Sequence, residues 1–221
     1  MKKYYAWMGA LILLWLVLTC IFLILAPDQV PVHFDINGDV DRMGSKFEYL
    51  LLPGIGLIAM YGSMHGAKKS AKGNEKTVAI STICLLAFLV VLFSYFMWKA
   101  LDPATVADGL SRLALRGTMI GMMVLFIVLG NIMPKVQRNS AVGLRTKWSM
   151  YNDTCWQKSQ RFCGYTMMIL GLVGLVLCAV LPDAWVLWLL LGMILVMLIA
   201  SLVGSYLIYK KEREKECGAD G

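Results

Sequence analysis

YYAWMGALILLWLVLTCIFLILA, residues 4–26, runs for 23 positions without a charged side chain. Roughly 20 apolar residues cross the hydrocarbon core of a bilayer as a helix. A stretch this long and this continuous has no place on the surface of a water-soluble domain. It is too long for a removable leader, and no small-residue cleavage site follows it. It therefore reads as a first transmembrane helix.

The rest of the chain repeats the pattern. Five more apolar runs follow at Tyr49–Met64, Val78–Trp98, Leu113–Met133, Cys163–Leu181 and Ala184–Tyr209. The second is the shortest and carries Pro53-Gly54-Ile55-Gly56. That break reads as a helix start or a kink, with a substrate-lining broken helix as the alternative. The fourth includes Arg116, whose stem can reach an interface. Over 221 residues the chain is 59% hydrophobic and 16% charged. A soluble domain has roughly 45–50% and 25%. The expected fold is an all-α polytopic bundle of six transmembrane helices.

Basic residues give an orientation, because Lys and Arg accumulate on the cytoplasmic side. They fall in alternate connections. Lys2 and Lys3 precede the first run; Lys68, Lys69, Lys72 and Lys76 lie between the second and third. Lys135, Arg138, Arg145, Lys147, Lys158 and Arg161 lie between the fourth and fifth, and Lys210, Lys211, Arg213 and Lys215 follow the sixth. Arg42, Lys46, Lys99, Arg112 and Arg116 take the opposite side. Both termini are expected in the cytoplasm, the protein being multi-pass in its membrane. The net charge of +7 then reflects topology and attraction to anionic lipid. It does not indicate direct nucleic-acid binding. The six cysteines form no CxxC and no Cys/His metal spacing. None falls in an outer connection, so no disulfide framework is expected.

The spans carry no Asp, Glu, Lys or His near their centres, where pumps and proton relays place them. Gly117 and Gly121 form a GxxxG, and Ala200, Ser201, Gly204 and Ser205 a face of small residues. Both suit close helix packing, expected within the chain. Pro182-Asp183 is all that joins the last two runs, so those helices form a tight antiparallel pair.

Two polar segments remain. After Pro27, the Val30-Pro31-Val32-His33-Phe34 stretch alternates and contains a proline, which suits a short edge strand. Asn37-Gly38 signals a turn. Asp35, Asn37, Asp39 and Asp41 fall at every second position, as in a calcium loop, but that loop wants Gly sixth and Glu twelfth. Here Gly38 is fourth and Lys46 twelfth. Zinc or acid–base work by His33 with Asp35 and Asp41 would lack a second nitrogen or sulfur ligand. The favoured reading is a small, structured extracellular hairpin cap that meets a ligand through His33, Asp35, Asn37, Asp39, Asp41, Arg42 and Lys46, with no metal and no cofactor.

The second segment is MPKVQRNSAVGLRTKWSMYNDTCWQKSQRFCGY, residues 133–165. Ser149 or Asn152 could cap a short helix. Trp156 and Phe162 suit an interfacial position. Trp148 and Trp156 beside Arg145, Lys147, Lys158 and Arg161 make a basic–aromatic belt, which reads as an interfacial anchor or, through Arg145, Thr146, Trp148, Trp156 and Arg161, as a surface able to dock an acidic partner.

Both segments resemble the SdpI family of bacterial membrane proteins. Pro31-Val32-His33-Phe34 through Asn37-Gly38, Asp41 and Gly44-Ser45-Lys46 is similar to the module of unknown function that often precedes the family's core. Asn131-Ile132-Met133-Pro134-Lys135, Gly143-Leu144-Arg145-Thr146, Trp148, Trp156 and Arg161-Phe162 resemble the core signature, a Gly-x-Arg-Thr-Pro-Trp stretch leading to a Trp and a His-Arg pair. Lys147 replaces that proline and Gln160 that histidine, so a role resting on the histidine does not carry over. The resemblance implies a non-enzymatic immunity or signalling protein that meets a secreted toxic peptide outside and holds a repressor inside. It divides the chain into an N-terminal module (1–65), a basic loop with the third helix and an outer loop (66–112), a core (113–209, with its inner loop at 134–162) and a charged tail (210–221). Two other classes stay open. One is a transporter of a small hydrophobic or peptide substrate, lined by Ser81, Ser94 and Ser201. The other is a metal-dependent membrane enzyme using the outer loop.

Overall fold

The structure is a computed structural model, and it describes residues 1–34, 40–68, 74–101, 110–139 and 142–219. Helix α1 spans Lys2–Leu25 and leads into an antiparallel hairpin of β1 (Gln29–Phe34) and β2 (Val40–Ser45). A 3-10 turn, Lys46–Leu50, enters α2 (Leu51–Lys68). Helices α3 (Asn74–Leu101) and α4 (Leu110–Ile132) follow. A second 3-10 turn, Met133–Lys135, opens the connection to α5 (Asp153–Val180), which is followed by α6 (Asp183–Ala219).

All six helices are long and apolar enough to cross a membrane. Their outward faces say the same. Ile24 is 80% exposed, Val180 76% and Ile58 73%. Apolar exposure on that scale suits hydrocarbon and not water.

Two cores divide the bundle. The first joins Met8, Ile12, Trp15 and Phe22 of α1 to Ala79, Leu86, Val90 and Met97 of α3, with Tyr49 closing its hairpin end. Trp15 is fully buried and stacks on Phe93 with centroids 5.5 Å apart. The second core joins Met119, Met123 and Phe126 of α4 to Cys163, Met167 and Cys178 of α5 and to Val186, Leu190 and Met193 of α6.

Helices in lipid associate through van der Waals contact, which close backbone approach improves. The GxxxG of α4 is not the main seam. A Cβ on Gly117 would meet nothing within 4 Å, and one on Gly121 would touch only Phe88 of α3 at 3.0 Å. The tight seam pairs Gly130 of α4 with Gly164 of α5. A Cβ on Gly164 would lie 2.6 Å from the Gly130 carbonyl oxygen, and one on Gly130 2.7 Å from that of Gly164. The small face of α6 does pack within the chain, with Ser201 and Ser205 buried.

Pro53 stands in the first turn of a continuous α2, the helix start that the sequence suggests, where a missing N–H costs no helical hydrogen bond. One boundary differs from the sequence reading. Helix α5 begins at Asp153, ten positions before the apolar run, so Asp153–Phe162 is helix and not loop. Asn152 caps it, accepting the Cys155 N–H at 2.7 Å. The polar first turns follow from length: 28 residues at 1.5 Å each make about 42 Å, more than the roughly 30 Å of hydrocarbon. Helix α6, at 37 residues, overshoots further, and its C-terminal end lies against the start of α5.

At the opposite end of α5, Arg116 reaches across from α4. It donates to the carbonyls of Cys178 at 2.9 Å and Leu181 at 2.8 Å. A cation there satisfies carbonyls at a helix C-terminus and meets the negative end of its dipole.

Candidate functional site

The hairpin is bolted to the helix ends beneath it. Lys46 Nζ lies 3.1 Å from Asp28 Oδ1 and donates to the Ala26 carbonyl at 3.2 Å, just past α1. The Tyr49 hydroxyl donates to the Pro31 carbonyl at 2.7 Å, while its ring meets Phe22 at 4.7 Å. Ser45 and Glu48 form a capping box at the turn into α2. Gly44 sits against Glu48 and Val32, with no room for a side chain. These contacts tie residues close in sequence.

Two register shifts alter β1 against β2. Pro31 pairs with Met43, His33 with Arg42 and Phe34 with Val40, leaving Val32 and Asp41 as extra residues. Such bulges re-aim side chains. Here His33 Nδ1 lies 2.6 Å from Asp41 Oδ1, both exposed, an ion pair whenever the imidazole is protonated. Arg42 Nη2 donates to Glu48 Oε2 at 2.9 Å. Met43 and Phe47 are exposed beside these pairs, so polar and apolar surface are adjacent. Of the residues expected to meet a ligand, His33, Asp41 and Arg42 come together. Lys46 is largely covered and anchors the base of the hairpin. Asp35, Asn37 and Asp39 lie outside the described residues. Among the described residues, no three His, Cys, Asp or Glu side chains are placed to hold a metal ion.

The α4–α5 connection is built differently. Its turns are fastened by buried polar side chains from α5. Gln160 is fully buried; its Oε1 accepts the Leu144 N–H at 2.9 Å and its Nε2 donates to the Leu144 carbonyl at 2.9 Å. One carboxamide can satisfy both groups of one peptide residue because it carries donor and acceptor side by side. Trp156 is also buried, and its Nε1 donates to the Val136 carbonyl at 2.7 Å. Gly143 passes over both. Its φ of +121° is a left-handed value, and a Cβ would fall 2.9 Å from Gln160 Oε1 and 3.0 Å from the Trp156 ring. Asn139 closes the preceding turn, donating to the carbonyls of Gln137 and Val142 and accepting the Val142 N–H. Ser149 and Thr146 exchange side-chain bonds with each other's backbone N–H at 2.9 and 3.0 Å.

The outer surface of this connection meets the end of α6. Ser205, Tyr209, Glu212 and Glu216 recur at helical spacing along one face. Thr146 Oγ1 lies 3.2 Å from Ser205 Oγ. The Trp148 ring meets Tyr206 at 5.2 Å, and the Tyr151 ring meets Tyr209 at 4.9 Å. Lys158 Nζ lies 2.7 Å from Glu212 Oε1. The Tyr151 hydroxyl donates to Glu216 Oε2 at 2.8 Å and Asn152 Nδ2 to Glu216 Oε1 at 3.1 Å. Accepting that phenolic hydrogen bond, the Glu216 carboxylate pushes the Tyr151 pKa above its ordinary value, and its negative charge adds to the shift. The phenol therefore keeps its proton, and the bond, at neutral pH, and alkali that ionises the phenol breaks it.

The residues expected to form a docking surface thus separate. Arg145 and Arg161 are exposed, and Thr146 and Trp148 are half-buried against α6. Trp156 is 1% exposed. It is a packing residue that carries a backbone bond, and its reading as an interfacial, partner-binding side chain is corrected. The sequence reading passed over Glu212, Glu216 and Tyr151, although the four-residue spacing of the two glutamates was visible. Of the serines offered as a transport lining, two are engaged, while Ser94 Oγ is buried without a hydrogen-bond partner among the described residues. Ser81 donates to the Thr77 carbonyl, and Ser201 donates to Cys163 Sγ.

Comparison with known proteins falls on these same two regions. Residues 10–57, containing the hairpin, match a domain of unknown function (DUF1648). Residues 135–205, containing the α4–α5 connection, match the SdpI/YfhL protein family. The chain is 22% identical over 185 residues to Immunity protein SdpI of Bacillus subtilis (strain 168), covering 84% of this chain and 86% of that protein. No solved structure matches. The chain is thus one that, among its described residues, has six helices long and apolar enough to cross a membrane, matches the SdpI/YfhL family model over residues 135–205, and is similar over most of its length to an immunity protein.

Proposed function

We propose that this chain is an integral membrane immunity and signal-transduction protein of the bacterial cytoplasmic membrane. It protects against a secreted toxic peptide met at the hairpin, and its α4–α5 connection docks a cytoplasmic regulator. The observation that carries this reading is the coincidence of two family matches with the two built surfaces, the hairpin in one and the connection in the other. Both termini and the connection lie in the cytoplasm, following the basic residues, and the hairpin lies outside. Acidic groups at Asp35, Asp39 and Asp41 attract a cationic peptide, and the exposed Met43 and Phe47 offer its apolar face a neighbour. Signalling follows if the peptide binds one helix arrangement better than another.

The test is survival. The protein is expressed in a sensitive bacterium, and a toxic peptide of the kind produced with SdpI-type immunity is titrated against an empty-vector control. A rightward shift of the killing curve is expected. The double substitution Asp39→Lys with Asp41→Lys should weaken that shift while the protein still reaches the membrane. Killing curves that superimpose with and without the protein would remove the immunity reading.

A further inference from the structure

The end of α6 covers part of the basic–aromatic surface on the α4–α5 connection. Lys158, Tyr151 and Asn152 present hydrogen-bond donors there, and the carboxylates of Glu212 and Glu216 occupy all three. Glu212 keeps only 13% of its side chain exposed and also receives Lys215 Nζ at 3.1 Å. Glu214, on another face of the same helix, pairs loosely with Lys210 at 4.0 Å and is 66% exposed. The SdpI/YfhL match ends at Ser205, so both clasping glutamates lie beyond it.

We propose that the end of α6 is a built-in competitor: Glu212 and Glu216 hold the connection closed, and an acidic protein segment docks there only when they are displaced. The inference rests on the proposed role of the connection as a docking surface. Its chemistry is exchange of like for like. An incoming carboxylate replaces an internal one on the same donors, so little desolvation is added. An internal ligand holds its site at high effective concentration, and it lowers the apparent affinity for an outside partner by the fraction of molecules left open. These pairs also lie in water-accessible surface, so salt should loosen the clasp.

The full-length protein, in nanodiscs of zwitterionic lipid, is titrated with a fluorescent decaglutamate peptide at low salt and read by anisotropy. Trypsin cleavage at Lys210–Lys215 reports in parallel whether the helix end is released. E212Q/E216Q should bind the peptide about tenfold tighter than the parent chain if the clasp is closed nine times in ten. It should also be cut faster. E214Q removes a charge from the same helix and should change neither reading. Adding Lys158→Gln to E212Q/E216Q should return the affinity toward the parent value. Unchanged cleavage in E212Q/E216Q would show that the carboxylates do not hold the helix, which overturns the clasp. Faster cleavage without tighter binding would show that the uncovered donors accept no acidic segment, which overturns the docking role and the competitor together. Equal tightening in E214Q would reduce the effect to net charge. The killing curve uses none of these readings, so immunity stands or falls separately.

Discussion

The hairpin and the α4–α5 connection are both polar segments between apolar helices, yet they are held in opposite ways. The hairpin's side-chain bonds join residues no more than 20 positions apart, and its described acidic and basic groups, Lys46 apart, are exposed. The connection is shaped by side chains brought from α5 and α6, as far as 65 positions away along the chain. The hairpin is therefore a local structure standing on the first core. The connection exists only where α4, α5 and α6 have assembled. Polar groups in the two regions should differ accordingly: dispensable for folding in the hairpin, costly to remove in the connection.

The sharpest test is Trp156→Ala. It removes a fully buried ring and leaves the Val136 carbonyl without its indole donor. A loss of about 3–5 kcal/mol is expected from the cavity term. Thermal or SDS-induced unfolding of the purified protein would measure it. Gln160→Leu comes next. The Ser149 hydroxyl still reaches the Leu144 carbonyl, but the Leu144 N–H loses its acceptor. An orphaned donor plus the lost bonds costs about 2–4 kcal/mol. Gln160→His, with a ring nitrogen free to make only one of the two bonds, should lie between the parent and the leucine variant. A leucine variant as stable as the parent would make the connection as dispensable as the hairpin.

How much of this was visible beforehand depends on whether the signal is local. The six spans, the strand at Val30–Phe34 and the cap at Asn152 each have short-range signatures, and each is present. The start of α5 was misplaced because an apolar window discards Gln157, Lys158, Gln160 and Arg161. The buried positions Trp156, Gln160, Cys163 and Met167 nevertheless recur at three and four residues, one face of a helix. Trp156 beside Lys158 and Arg161 looks like an interfacial anchor, and nothing local distinguishes a ring facing lipid from one facing a loop. The Gly130–Gly164 contact has no GxxxG spacing to mark it. Gly164, Gly171 and Gly174 do recur at seven and three residues along one face of α5, but only the crossing shows that Gly130 is the backbone Gly164 meets. The GxxxG was legible and marked a weaker contact. The role of Glu212 and Glu216 was hidden because a charged tail reads as solvated when the helix continuing into it is not foreseen.

The smallest expected effect closes the comparison from the other side. Arg42→Ala breaks the Arg42–Glu48 pair at 2.9 Å, whose side chains are 58% and 36% exposed. Exposed pairs contribute about 0–1 kcal/mol. Glu48 keeps its second role, accepting the Ser45 N–H at 3.2 Å, so the turn into α2 stays capped. Tyr49 and Lys46 still fasten the ribbon to α1. The unfolding midpoint should hardly move, and any change in the killing curve would then report on the hairpin's surface and not on folding. An Arg42→Ala variant destabilised as much as Gln160→Leu would mean that the hairpin folds as one unit with the bundle. The distinction between a local cap and an assembled connection would then fail, and hairpin substitutions would lose their value as probes of peptide contact.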